Sequence, residues 1–269
     1  MNLFSKIAVC AITFSGMFAA DAETVDLTEK NYFRTVSGGY SVAENQFTTR
    51  GMTFIQSIKP FDIDPAKQYS FKMTVNGSIP KDCRIYVGYN LYGADGKGYQ
   101  AASWQGLPLT LTQLSRAAKK GDTVIYAKNA ANWSLGGTVF IALDAKEDGS
   151  DLPNMKIINN SVKDKKKVGN EWEVTLREPL KADIPADMNI RQHVSGGYYY
   201  IVIKNLKAAD SGKDIVLTGT VKGYNKTVAP FTGKNWPIGV TKARLLILAD
   251  WGSKSGAVLT FKDASFVIE

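Results

Sequence analysis

GTVFIAL at 137–143, DAKEDGSDLPN at 144–154, EWEVTLREPL at 171–180 and NIRQHVSGGYYYIVIK at 189–204 fall within one stretch, residues 136–204. The first segment is a short apolar run bounded by Gly136-Gly137 and an acidic loop, and it reads as a strand. The third alternates: Trp172, Val174 and Leu176 lie opposite Glu171, Glu173, Thr175 and Arg177. In the last, the same period puts Asn189, Arg191 and His193 on one face. Ser195-Gly196-Gly197 reads as the turn of a hairpin returning through 198–204, and 163–167 as a lysine-rich hairpin tip.

The same period continues outward. Tyr69, Phe71, Met73 and Val75 alternate with Ser70, Lys72 and Thr74, and Asn76-Gly77 reads as a hairpin-type turn. Ile85, Val87, Tyr89 and Leu91 face one way; Arg84, Tyr86, Gly88, Asn90 and Tyr92 face the other. Residues 109–120 suit one short helix, with Leu111, Leu114 and Ala118 on one side and Gly121 as the stop. VSGGY occurs at 36–40 and at 194–198 with unrelated flanks, as a turn chemistry used twice. Roughly a dozen short strands separated by Gly, Asn, Asp and Pro predict an all-β fold. The expected form is a two-sheet antiparallel, jelly-roll-like β-sandwich over 23–269, with 136–204 as an extended hairpin insert.

Residues 1–22 read as an export signal. Lys6 precedes an apolar run at 7–20, which is shorter than the roughly twenty residues a membrane helix needs. Ala20-Asp21-Ala22 is a small-x-small cleavage site, so the expected location is secreted, periplasmic or on the cell surface. No later segment is apolar enough for a transmembrane helix. Without the signal one cysteine remains, Cys83, which excludes an intrachain disulfide and reads as a small buried hydrophobe. The net charge of +8 favours anionic partners, and export argues against nucleic acid.

Two elements carry a family resemblance. YSFKMTV at 69–75 followed by RIYVGYNLYGADGKG at 84–98 is one, and the closing ARLLILADWGSKSGAVLTFKDASFVIE at 243–269 is the other. Together with 138–200 they resemble the jelly-roll carbohydrate-binding domains of secreted bacterial enzymes and of phage or cell-surface proteins. The resemblance implies a glycan-binding or accessory β-sandwich, often with one structural Ca²⁺.

Three groups of residues could carry a site. Asp144, Asp148, Asp151 and Asn154 crowd oxygen donors around Gly149, the donor type Ca²⁺ takes, although the spacing is not that of an EF-hand. Aromatic rings stack on sugar faces and Arg or amide groups read hydroxyl edges. A glycan site is therefore expected on Arg191, His193 and Tyr199, with Tyr86, Trp104 or Trp251 as a platform. Glu171 and Glu173 share a strand face about 6.5–7 Å apart, inside the roughly 6.5–9.5 Å separation of inverting glycosidases. No G-x-S-x-G is present. The leading expectation is a non-catalytic binder of polysaccharide or envelope glycan. The alternatives are a polysaccharide lyase or hydrolase using Glu171, Glu173, Arg191, His193 and Tyr199, and a structural assembly protein.

Overall fold

The computed structural model describes residues 22–269 other than 30, 159, 195 and 226–232. The export-signal reading thus falls, but for Ala22, outside the described residues. The chain is all-β. The first strands are β1 (Glu23–Asp26), β2 (Phe33–Ala43), β3 (Gln46–Ser57), β4 (Phe61–Asp62), β5 (Gln68–Ser78), β6 (Cys83–Tyr92) and β7 (Gly98–Tyr99). Then come β8 (Thr112–Gln113), β9 (Val124–Ala127), β10 (Val139–Leu143), β11 (Ile157–Ile158), β12 (Val162–Val168), β13 (Glu171–Leu176) and β14 (Asn189–Val194). The last are β15 (Tyr199–Leu206), β16 (Ile215–Lys222), β17 (Lys242–Ala249) and β18 (Val258–Ile268).

The larger sheet has eleven strands, with a main path β15-β6-β17-β3-β18-β5-β16. Strand β3 joins its two arms. Its first half, Gln46 to Arg50, pairs with β18; its second, Thr53 to Gln56, pairs with β17. Strand β2 follows β3 through both halves. The bend between them is local chemistry. Gly51 takes a positive φ of 60°, and the Thr53 hydroxyl lies within hydrogen-bonding reach of the Arg50, Gly51 and Gly39 carbonyls. On β2 the register shifts at the same level, where a Cβ on Gly38 would stand 2.4 Å from the Met52 carbonyl oxygen. The first VSGGY copy is therefore a bulged bend inside a strand, not a turn.

The arms face each other across one core. Tyr69 and Phe71 of β5 and Phe266 of β18 meet Tyr89 of β6 and Ile247 of β17, with Trp236 between them. The two period-two runs behave as expected: Tyr69, Phe71, Met73 and Val75 are buried, as are Ile85, Val87, Tyr89 and Leu91. Each such side chain contributes about 1.5–3 kcal/mol by leaving water. Cys83 is a free, buried thiol. At the far ends β15 and β16 approach, with Ile201 packed over Gly219.

Residues between the 3-10 turn at Ala101–Ser103 and Gly196 build a second core. Two small sheets, β11-β10-β14-β8 and β12-β13-β9, enclose Leu114, Ile125, Trp133, Ile141, Val174 and Ile190. Four expectations are corrected here. Strands β14 and β15 are not a hairpin: β14 pairs with β10 and β8, whereas β15 pairs with β6 in the large sheet. Residues 109–120 form strand β8 and two isolated bridges, not a helix. Thr110, Thr112 and Leu114 are buried at period two, and Leu114 and Ala118 bridge to Ala127 and Ile184. Cross-strand partners thus outcompete a weak helical pattern rich in Thr. The lysine-rich segment is strand β12 itself, with the turn beyond it at Gly169-Asn170. Asn76-Gly77 lies within β5, where a Cβ on Gly77 would meet the Val258 carbonyl oxygen at 2.0 Å.

Candidate functional site

Strand β14 does project Arg191 and His193 together, but into the interior. Arg191 is 2% exposed and His193 is fully buried. The Arg191 guanidinium donates to Asp151 through Nη2 at 2.7 Å and Nη1 at 3.4 Å, and through Nη1 to the Lys146 carbonyl at 2.9 Å. Its Nε–H donates to His193 Nε2 at 2.9 Å, so that nitrogen is unprotonated. The proton therefore sits on Nδ1, which donates to the Ala102 carbonyl at 2.5 Å. Burial, then the Arg191 charge, push the imidazole down to about 4. Burial works to raise the Asp151 carboxyl, but the Asn154 amide, the Lys146 N–H and Arg191 together hold it below its ordinary range.

The acidic loop is bound into this network. Asn154 donates to Asp151 Oδ2 and to the Leu143 carbonyl, and its own N–H donates to the Ser103 carbonyl at 2.6 Å. Pro153, after a cis peptide bond, packs on Gly239 of the large body. The expected calcium donors thus have other partners. Asp151 holds Arg191, Asp144 holds Lys156, Asp148 accepts the Ser150 N–H, and Asn154 caps Lys156. Among the described residues, no three His, Cys, Asp or Glu side chains are grouped as a metal would require. The network is a joint: Ala102 and Ser103 leave the large core, and β14 belongs to the small one.

The aromatic candidates separate. Tyr199 is 1% exposed, inside the large core, and its hydroxyl donates to the Asn235 carbonyl. Trp104 is buried edge-on against it, with ring centroids 6.0 Å apart. Tyr86 and Trp251 instead lie on the outer face of the arm formed by β3, β17, β6 and β15, where Tyr198 and Tyr200 join them. Tyr86 and Tyr200 are 4.7 Å apart, and Phe54 touches both Tyr198, at 5.3 Å, and Trp251, at 6.3 Å. Beneath the rings Phe54, Leu246 and Leu248 are buried. The face runs into a groove of about 390 Å³ lined by Gly197, Tyr198, Tyr200, Ile201 and Ile203. Arg84 bonds the Tyr86 hydroxyl, and Arg244 lies over Tyr92. Two signals in the sequence point to this face. Alternation sets Tyr198 and Tyr200 opposite Tyr199, and the run 245–248 is apolar at every position, as in a strand covered on both sides.

The carboxylates expected for an enzyme are held elsewhere. Glu171 accepts from Ser115 at 2.7 Å and from Arg116, and Ser115 first among these keeps its carboxyl low. Glu173 pairs with Lys166 at 2.8 Å. Both stand on β13, in a different sheet from Arg191 and His193, and Tyr199 is in the other core. The five residues do not converge. A second groove, about 880 Å³, opens along β11 between Ile157, Ile158, Leu180 and Ile184, with Lys120 and Lys181 at its mouth.

No family model and no curated protein matches the chain. Among solved structures it is similar to VP17, a capsid protein of bacteriophage P23-77. The identity is 9% over 93% of this chain and 96% of that one, at a TM-score of 0.14. It is also similar to infectious bursal disease virus, Gt strain, with 14% identity over 97% of this chain and 44% of the other, at a TM-score of 0.16. The complex of VP16 and VP17, the two major capsid proteins of that bacteriophage, gives 8% identity over 92% and 99%, at 0.14. At these TM-scores the likenesses carry no argument of their own. They are viral and capsid structures, not carbohydrate-binding modules. The geometry corrects the expectation of a glycan-binding protein: Arg191, His193, Tyr199 and Trp104, four of its six ligand residues, are inside the protein.

Proposed function

We propose that the chain is a non-catalytic structural protein whose function is assembly with other proteins. The observation that carries this reading is the outer face of β3, β17, β6 and β15. A sheet face turned to water ordinarily carries polar side chains. Here Phe54, Leu246 and Leu248 lie under four half-exposed rings, and Ile203 beside them is 60% exposed. Contiguous apolar surface with aromatic rings of this kind marks protein contact surfaces. Two edge strands are guarded. β12, paired only with β13, exposes Lys163, Lys166 and Lys167, and β2 is broken by bulges. Both devices discourage strand addition at these two edges. In this reading the two arms are the layers of a jelly-roll-like sandwich, the second core is an insert, and the protein works after export.

Chemical crosslinking in the cells that make the protein tests this, with the products sized after purification. The expected result is a species larger than one chain, containing protein. Recovery as a single chain at every crosslinker dose refutes the assembly role.

A further inference from the structure

We propose that the outer aromatic face binds an acidic partner protein, seating aromatic or aliphatic side chains in the groove while carboxylates meet the arginine rim. This rests on the assembly reading and gives it a partner. Three arginines frame the face. Arg84 is exposed on β6, Arg244 is half-buried on β17, and Arg34 is exposed on β2 opposite Gln56 of β3. None of the three makes an ion pair among the described residues, although ten such pairs are formed elsewhere. Asp250, at the foot of the Trp251 loop, is fully buried and accepts the Ser255 and Gly256 N–H groups. The rim therefore offers uncompensated guanidinium groups around an apolar centre. Guanidinium suits carboxylate, which it binds through paired N–H donors.

The same charges argue against the other occupants. A second copy would meet this face through a twofold axis, patch against patch. That sets the arginines of one copy against those of the other, in chains that each carry +8. A polysaccharide would need polar groups to read its hydroxyls. The two amides on the face, Asn90 and Gln56, are already bonded to each other, and leucine and phenylalanine lie beneath.

The test uses the described protein and labelled random copolymers as probes, read by fluorescence anisotropy at fixed ionic strength. Poly(Glu,Tyr) supplies both chemistries, poly(Glu) charge alone, and alginate an anionic polysaccharide. Poly(Glu,Tyr) is expected to bind at least tenfold more tightly than poly(Glu) or alginate. Arg84→Glu and Ile203→Glu, both at exposed positions, are each expected to weaken it at least tenfold with unchanged melting. Lys163→Glu on β12 is the charge control and leaves affinity within twofold. The proposal is overturned if poly(Glu) or alginate binds as tightly, or if both face variants bind like the parent. It is also overturned if the face variants abolish a dimer of the parent, which would make a second copy the occupant. The same variants enter the crosslinking experiment. If complexes persist in both, assembly stands and this face is wrong; if the parent itself gives none, the assembly reading fails.

Discussion

Replacing Arg191 by Met removes the buried cation at the joint and leaves its partners in place. Asp151, with a side chain 6% exposed, then holds a buried carboxylate without its counter-charge. The Lys146 carbonyl and His193 Nε2 each lose their donor from Arg191. Breaking a buried pair from one side costs about 3–5 kcal/mol. For a chain of this length each kcal/mol lowers the melting temperature by roughly 2–4 °C, so the loss is roughly 6–20 °C. A second substitution separates the buried charge from the rest. Arg191→Met with Asp151→Asn removes both charges; the new amide oxygen can keep the Lys146 N–H, while the Asn154 amide loses its acceptor. The double variant should therefore be more stable than Arg191→Met alone, by about 1–3 kcal/mol, the penalty of one unsatisfied buried group. Urea unfolding followed by circular dichroism measures both. If Arg191→Met costs less than about 1 kcal/mol, the pair is not the joint described. If the double variant is the less stable of the two, the cost is not that of an unpaired carboxylate.

His193 is held neutral with its pKa near 4, below the ordinary 6.5, so the folded state disfavours its charged form. Its stabilising contribution is complete above pH 6.5 and is lost as pH falls toward 4, to a total of about 3 kcal/mol. A His193→Asn variant should flatten the stability profile across that window, and an unchanged profile would reject the assignment. Lys165 donates to the carbonyls of Ala130, Ala131 and Trp133 at 2.9, 2.6 and 2.6 Å and lies 5.5 Å from the Trp172 ring centroid. Lys165→Met should cost about 2 kcal/mol in urea unfolding, and a neutral result would show the loop is held otherwise. A Cβ on Gly88 would stand 2.0 Å from the Tyr199 carbonyl oxygen, whereas one on Gly98 would meet only the Tyr92 ring at 3.7 Å. Gly88→Ala should destabilise by roughly 3 kcal/mol or more and Gly98→Ala by less than about 1. Equal melting temperatures would refute the close approach of β6 and β15.

Strand type was legible because alternation is local. The runs 69–75 and 84–92 show their buried face without any knowledge of their neighbours. Partnership was not, because it is set by contacts distant in sequence. Ser195-Gly196-Gly197 looks like a hairpin turn, yet the strands on either side of it, β14 and β15, lie in different sheets, and β14 pairs with β10 instead of β15. That one misassigned pairing created the expected glycan face, since it put Arg191 and His193 beside Tyr199. The alternation of the three tyrosines was right, but which side faced the core depended on the partner of β15. Tyr199 faces Tyr89 in the interior, and its two neighbours face out.

Arg, His and Asp gathered in one stretch suggest chemistry because catalysis uses these groups. A site, however, needs donors or lone pairs that the fold leaves unspent. At the joint, both His193 nitrogens are bonded, and Arg191 spends donors on a carboxylate, a carbonyl and an imidazole. A buried network so satisfied rigidifies the two bodies against each other and offers a substrate no approach. On the outer face the balance is reversed. The amides Asn90 and Gln56 are bonded to each other, while the rings of Tyr86, Tyr198, Tyr200 and Trp251 are half exposed above buried leucines. What that face has left to give is apolar contact and arginine charge, which is the currency of protein association and not of bond making.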